Sequence, residues 1–228
     1  MVLTKLKPNE KRGSILLIFL RIHLGLLILK FIFEVYRYSL WAKIYKGIPI
    51  TQESLIIVEL ICFFSSAILI LLFITCVVLF IAWLYRAYEN YIRFQFQPPR
   101  FSLYWTALAW FVPFINLRLP YLLMSEVIES YEAILIQRDF IRYKPSRHIV
   151  KSWWWITLVG AFLALAFIFS EGLLGYFFLV IAHAFLILSG ILVVKMISDL
   201  IMMEKGLTDL KDVTVDYGDD PTLLDNEF

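Results

Sequence analysis

Four long apolar stretches, at 15–33, 55–85, 153–169 and 175–194, divide the chain. Each approaches or exceeds the ~20 helical residues that a bilayer core requires. None alternates apolar and polar positions with the period of two that a barrel strand shows. In lipid every backbone polar group must be bonded within the protein. The pattern therefore predicts an all-α, polytopic membrane protein with four transmembrane helices, at about 14–36, 54–88, 152–170 and 174–202, within one integral membrane domain, 1–208.

Between the second and third stretches the pattern breaks. Residues 103–116 are apolar but number only 14, short of the ~17–25 that a spanning helix needs. Pro98 and Pro99 precede this run, Pro113 interrupts it and Pro120 follows it. The reading is a cytoplasmic-side re-entrant or interfacial hairpin at 103–117, with Trp105 and Trp110 at headgroup depth. After it Met124, Val127, Ile128, Tyr131, Ile134 and Leu135 recur at helical spacing, with Glu126, Glu129 and Glu132 on the other side. That predicts an amphipathic helix over 119–141, packed against protein and turning its acidic series to solvent.

Composition sharpens the class. The chain has 228 residues, is 61% hydrophobic and 17% aromatic, where soluble domains are roughly half apolar. A net charge of +2, not gathered into a large basic surface, gives no sign of nucleic acid as a partner. The basic residues orient the spans. With both termini cytoplasmic, the inner side holds Lys5, Lys7, Lys11, Arg12, Arg86, Arg93, Arg100, Arg118, Arg138, Arg142, Lys144, Arg147, Lys151, Lys195, Lys205 and Lys211, sixteen in all. The outer side holds three, Arg37, Lys43 and Lys46, while Arg21 and Lys30 fall within the first span. Positive charge gathers inside, so both termini are expected there. The basic start followed by a long run, without a small-residue cleavage site, reads as a retained first span. Residues 209–228, rich in aspartate, are expected as an acidic cytoplasmic tail. Cys62 and Cys76 lie 14 residues apart on one predicted helix, about 21 Å, too far to bond each other.

The strings LYRAYEN (84–90), RFS (100–102), Trp105, WFVPFINL (110–117), PY (Pro120, Tyr121), Glu126 and WWW (153–155) resemble those of a bacterial membrane family catalogued as domain of unknown function 4328. The resemblance covers roughly 80–156, about a third of the chain. It implies a multi-span protein of the bacterial cytoplasmic membrane and brings no activity with it. Its strings contribute Arg86, Asn90, Trp110, Pro113, Asn116, Pro120, Tyr121 and Glu126 as candidate structural or functional residues.

Ionisable groups inside spans are functional candidates because lipid solvates them badly. Here these are Arg21, His23, Lys30, Glu59 and His183. Lys30 and Glu59 fall at similar depth and are expected to form an ion pair, as structural glue or in a polar pathway, or each to snorkel to its interface, while Arg21 is expected to snorkel to the inner surface. His23 and His183 both fall near mid-span, which makes a bundle-spanning haem or metal site conceivable against the commoner reading of histidines hydrogen-bonded within the bundle. No other cofactor is expected. Asn116 is expected to bond the carbonyls that Pro113 leaves open. None of the common hydrolase, nucleotide or zinc motifs occurs, and no catalytic residue is assigned. Two functions remain. The favoured one is a non-enzymatic scaffold or accessory subunit binding a membrane-protein partner through the aromatic segment. The alternative is a small homo-oligomeric channel or transporter with that segment lining its pathway.

Overall fold

A computed structural model describes residues 7–94, 98–137 and 147–215, and among these it is helical with no strand. Among the described residues six α-helices follow one another: α1 (Glu10–Tyr45), α2 (Gln52–Phe94), α3 (Trp105–Leu108), α4 (Leu119–Gln137), α5 (Arg147–Phe169) and α6 (Gly172–Val215). Four of them, α1, α2, α5 and α6, are long and apolar enough to cross a membrane. At ~1.5 Å per residue, α2 and α6 run about 65 Å, twice the ~30 Å of a hydrocarbon core. Both continue past the apolar stretches, with Glu89 and Asn90 of α2 and Glu204 of α6 engaged by other parts of the chain. The helix of α6 also carries on to Val215, seven residues into the stretch expected as a tail. Positions 216–228, and 138–141 at the end of the expected amphipathic helix, lie outside the described residues.

The spanning helices stand in a row, α2 beside α1, α1 beside α6 and α6 beside α5. The α1–α2 and α5–α6 turns lie at one end, the second closed by Gly172 at φ 60, a conformation that L side chains rarely adopt. At the opposite end, which holds the beginning of α1 and the C-terminal part of α6, α4 packs against α2, α5 and α6 and gathers the row into a bundle. The densest core is here. Trp83, Leu84, Ala87 and Tyr88 of α2 meet Leu123, Met124, Val127, Ile128 and Tyr131 of α4 and Met196, Ile197, Leu200 and Met203 of α6, all essentially fully buried.

The burial of α4 corrects the sequence reading of its acidic series. Its apolar face is buried as the spacing implied, but Glu126 and Glu132 are buried as well, and Glu129 is half-buried. Wedged against three other helices, α4 keeps a narrow outer stripe at Leu122, Ser125, Glu129, Ala133 and Ile136, and Glu126 and Glu132 fall off it, inside the protein.

The segment between α2 and α4 forms a tight corner. After α3 the chain turns at Val112–Pro113, and Phe114 adopts φ 64 so that the Ile115 N–H donates to the Pro113 carbonyl at 2.7 Å. This is a γ-turn around a bulky residue in the positive-φ region, which is uncommon and strained. A short 3-10 turn, Ile115–Leu117, leads into α4, whose second residue is Pro120, where a helix tolerates a missing N–H.

Candidate functional site

Two polar constellations stand out against this apolar background. The first lies toward the turn end. Lys30, Glu34 and Arg37 occupy successive turns of one face of α1, and all three are buried, at 3%, 2% and 8% exposure. Lys30 Nζ is 2.7 Å from Glu34 and donates to the carbonyl of Cys62 on α2, also at 2.7 Å. Arg37 reaches Glu34 at 2.8 Å and Glu59 of α2 at 3.4 Å, and its guanidinium sits 4.9 Å from the ring centroid of Tyr176 on α6. Trp41 Nε1 donates to Glu59 at 3.0 Å, and its indole stacks on Tyr176 at 5.2 Å. Two cations and two anions thus form a neutral chain that stitches α1 to α2 and α6.

This arrangement revises the expected Lys30–Glu59 pair. The two residues belong to one network, but Lys30 binds Glu34 and Glu59 binds Arg37. The sequence pattern sets Arg37 among the outer charges and does not single out Glu34. The signal was present: Lys30, Glu34 and Arg37 are spaced i, i+4 and i+7, which places them on one helical face.

His183 lies within electrostatic reach of Lys30, Glu34 and Arg37, and its Nδ1 donates to the Leu179 carbonyl at 2.8 Å. His23 packs its ring against Phe73 of α2, with centroids 6.2 Å apart. The two histidines therefore have different neighbours. Among the described residues no three His, Cys, Asp or Glu side chains come together as a metal site requires. Arg21 is exposed on the outside of α1.

The second constellation is at the α4 end. The carboxylate of Glu126 is 3.1 Å from the hydroxyls of both Tyr88 and Tyr91, and accepts the N–H of Arg100 at 2.8 Å. The Tyr88 hydroxyl also accepts the N–H of Phe101. One buried side chain of α4 thereby ties the end of α2 to the start of the corner. Beside it Glu89 is bound by Arg86 at 3.2 Å, by Arg93 at 3.3 Å and by the Lys7 ammonium. The Asn90 amide accepts the Lys7 N–H and donates to the Lys7 carbonyl, each at 3.0 Å. Asn9 donates to the Trp83 carbonyl and to Glu204 of α6, and the Tyr131 hydroxyl is 2.9 Å from Glu204 and 3.0 Å from the Ala87 carbonyl. Complete burial, followed by the neighbouring Glu204 carboxylate, pushes the Tyr131 phenol well above its ordinary value. Asn9, Glu204 and the tyrosines were invisible as partners in the sequence because each is separated from its counterpart by tens of residues.

The corner itself is held from beneath by indoles. Trp110 meets Phe80 edge-on at 5.3 Å and Trp154 at 6.1 Å, and Trp154 Nε1 donates to the Leu117 carbonyl at 2.8 Å. Trp110 Nε1 donates to the Thr106 carbonyl. Among the described residues Asn116 enters through its backbone, its N–H donating to Val112 at 3.0 Å, so Trp154, not the Asn116 amide, bonds the corner's Leu117 carbonyl. Pro120 is buried and Tyr121 packs half-buried against the core, whereas Pro113 is exposed at the turn. Outward from this platform stand Tyr104 (75% exposed), Phe111 (71%) and Phe114 (85%).

The model of a family described as Domain of unknown function (DUF4328) matches residues 49–203, from the α1–α2 turn through most of α6. No curated protein and no solved structure matches the chain.

Proposed function

The chain belongs to the DUF4328 family, and from that footing we propose that it is a non-enzymatic scaffold or accessory subunit of the bacterial cytoplasmic membrane that presents the 98–118 corner to a protein partner. The observation that carries this reading is Phe114. A large aromatic is held at positive φ, at a cost of order 1–3 kcal/mol, yet its side chain is left outside the core. Strain that gains no burial within the chain is explained by a contact outside it. The supports beneath it, Trp110 and Trp154, keep Tyr104, Phe111 and Phe114 preorganised, which lowers the ordering cost of binding.

The placement follows from charge. By sequence segment, sixteen basic residues in the stretches read as inner against three in those read as outer argue for the α4 end, with both termini, in the cytoplasm. Trp110 packs at the level of Phe80, six residues or ~9 Å along α2 from Arg86. That depth supports a corner which dips into the inner leaflet as a re-entrant or interfacial element. A channel or transporter needs polar groups free to meet a permeant, and the charges of Lys30, Glu34, Arg37 and Glu59 are engaged with one another.

A photo-crosslinking amino acid at Phe114, activated in native membranes, tests the reading. A discrete protein adduct is expected, absent when the probe replaces Phe63 on the far half of α2. Lipid adducts alone at Phe114 overturn it.

A further inference from the structure

The end of α2 touches two different structures with consecutive residues. At about 100° per residue, Tyr88 and Tyr91 are centred on one side of the helix and Glu89 and Asn90 on the opposite side, about 180° away. The tyrosines grip Glu126 and the backbone of Phe101, which hold the corner. Glu89 and Asn90 grip the chain at Lys7, through its ammonium and through both of its backbone polar groups. These four residues lie in the last two turns of α2, where the final carbonyls have no partner further along the helix. Their position is therefore set from the two sides by tertiary contacts. A second route runs in parallel: Asn9 bonds Glu204, Glu204 meets Tyr131, and Tyr131 sits on α4 five residues from Glu126.

We infer that residues 7–9 are a latch: seated on α2 and α6 they hold the last turns of α2, and through Tyr88, Tyr91 and Glu126 they hold the corner, so that releasing them slackens the corner. The N-terminal segment and the aromatic corner never touch in this scheme. They are coupled because one short stretch of helix is shared between them, and it cannot turn or fray on one face while staying in register on the other. Any event that withdraws the segment before α1, such as capture by another protein, is then read out 98–118. This rests on the corner being the presented surface, and it assigns that surface a control point in the same chain.

The test uses a buried reporter in the corner. Thr106 is fully buried beneath it, and Thr106→Cys is nearly volume-conserving. Its reaction with N-ethylmaleimide is followed by mass spectrometry in the intact, detergent-solubilised protein, with buried Cys62 and Cys76 in α2 as internal references. Asn90→Leu, which removes both backbone bonds to Lys7, is expected to raise the labelling rate at position 106 by about threefold or more relative to Cys62, as a local opening does. Lys7→Gln, which removes only the ammonium, is expected to raise it less and in the same direction. If Asn90→Leu does not yield a monodisperse protein, Lys7→Gln decides alone. Unchanged labelling at position 106, or an equal rise at Cys62, overturns the latch. Partner crosslinking from the photo-probe at Phe114 is a separate readout, so a corner that slackens yet captures nothing overturns the scaffold reading and leaves the latch intact.

Discussion

Glu34 of α1, 2% exposed, is bound by Lys30 four residues before it and by Arg37 three residues after it, at 2.7 and 2.8 Å. One carboxylate serving two buried cations is the hub of the α1–α2–α6 contact, and Glu59 supplies the second negative charge. Breaking a buried pair from one side leaves a charge without compensation, which costs about 3–5 kcal/mol. Glu34→Gln is expected to approach that range because it leaves Lys30 with the Cys62 carbonyl and Arg37 with the longer contact to Glu59. Glu59→Gln, whose side chain is 38% exposed, is expected to cost about 1 kcal/mol or less. Unfolding in mixed micelles measures both. A double-mutant cycle should find Lys30→Met and Glu34→Gln strongly non-additive, and Lys30→Met with Glu59→Gln much closer to additive. The reverse order of couplings refutes the assignment of partners.

Two glycines of α1 make an internal comparison. A Cβ on Gly13 lies 2.6 Å from Ile201 Cδ1 and 3.1 Å from Trp83 Nε1, whereas a Cβ on Gly25 meets nothing within 4 Å. Gly13→Leu is expected to destabilise by about 1–3 kcal/mol through overpacking where α1, α2 and α6 converge. Gly25→Ala is expected to be neutral or stabilising by up to about 1 kcal/mol, since helical glycine carries extra chain entropy. Thermal midpoints of the two variants, compared with the parent, decide the matter.

At the corner, Trp154→Phe removes the donor to the Leu117 carbonyl while keeping an aromatic body, and about 1–3 kcal/mol is expected to be lost if that carbonyl stays buried. Asn116→Leu is expected to change stability by less, because its amide carries no hydrogen bond among the described residues. Equal losses in the two variants contradict this division of labour.

Tyr131 gives a pH signature. Its native phenol titrates well above the ~10 of an unfolded tyrosine. The native state keeps its proton where the unfolded chain releases it, so this contribution is fully present below pH ~10 and is lost as pH rises through the native value. Between pH 9 and 11 the parent should lose more stability than Tyr131→Phe. The variant should start lower, by about 1–3 kcal/mol, because the Ala87 carbonyl and Glu204 lose a donor. Parallel pH curves rule out the phenol as the cause.

Topology reporters fused after Lys144, which lies outside the described residues, and after Phe228 are expected to report cytoplasm. A periplasmic signal from the first means that the 103–117 segment crosses the membrane.

The sequence by itself determined the class of the fold and its four long helices. Apolar runs of spanning length leave a chain in lipid no alternative to helix, and that constraint is local. It also exposed the break at Pro113 and the buried face of α4, since proline chemistry and helical periodicity act over a few residues. Only the tertiary structure decided which charges meet. Lys30 took Glu34 on its own helix, a pairing with no loop to close, while Glu59 was captured by Arg37 once α1 and α2 lay side by side. Glu126 and Glu132 look like a solvated stripe in a one-dimensional pattern. They are buried because α4 is enclosed by α2, α5 and α6, and Glu126 is satisfied there by Tyr88, Tyr91 and the Arg100 N–H. The seat of Lys7 and Asn9 on α2 and α6 was likewise beyond the sequence, because its partners are 74 to 195 residues away and only helix packing brings them together.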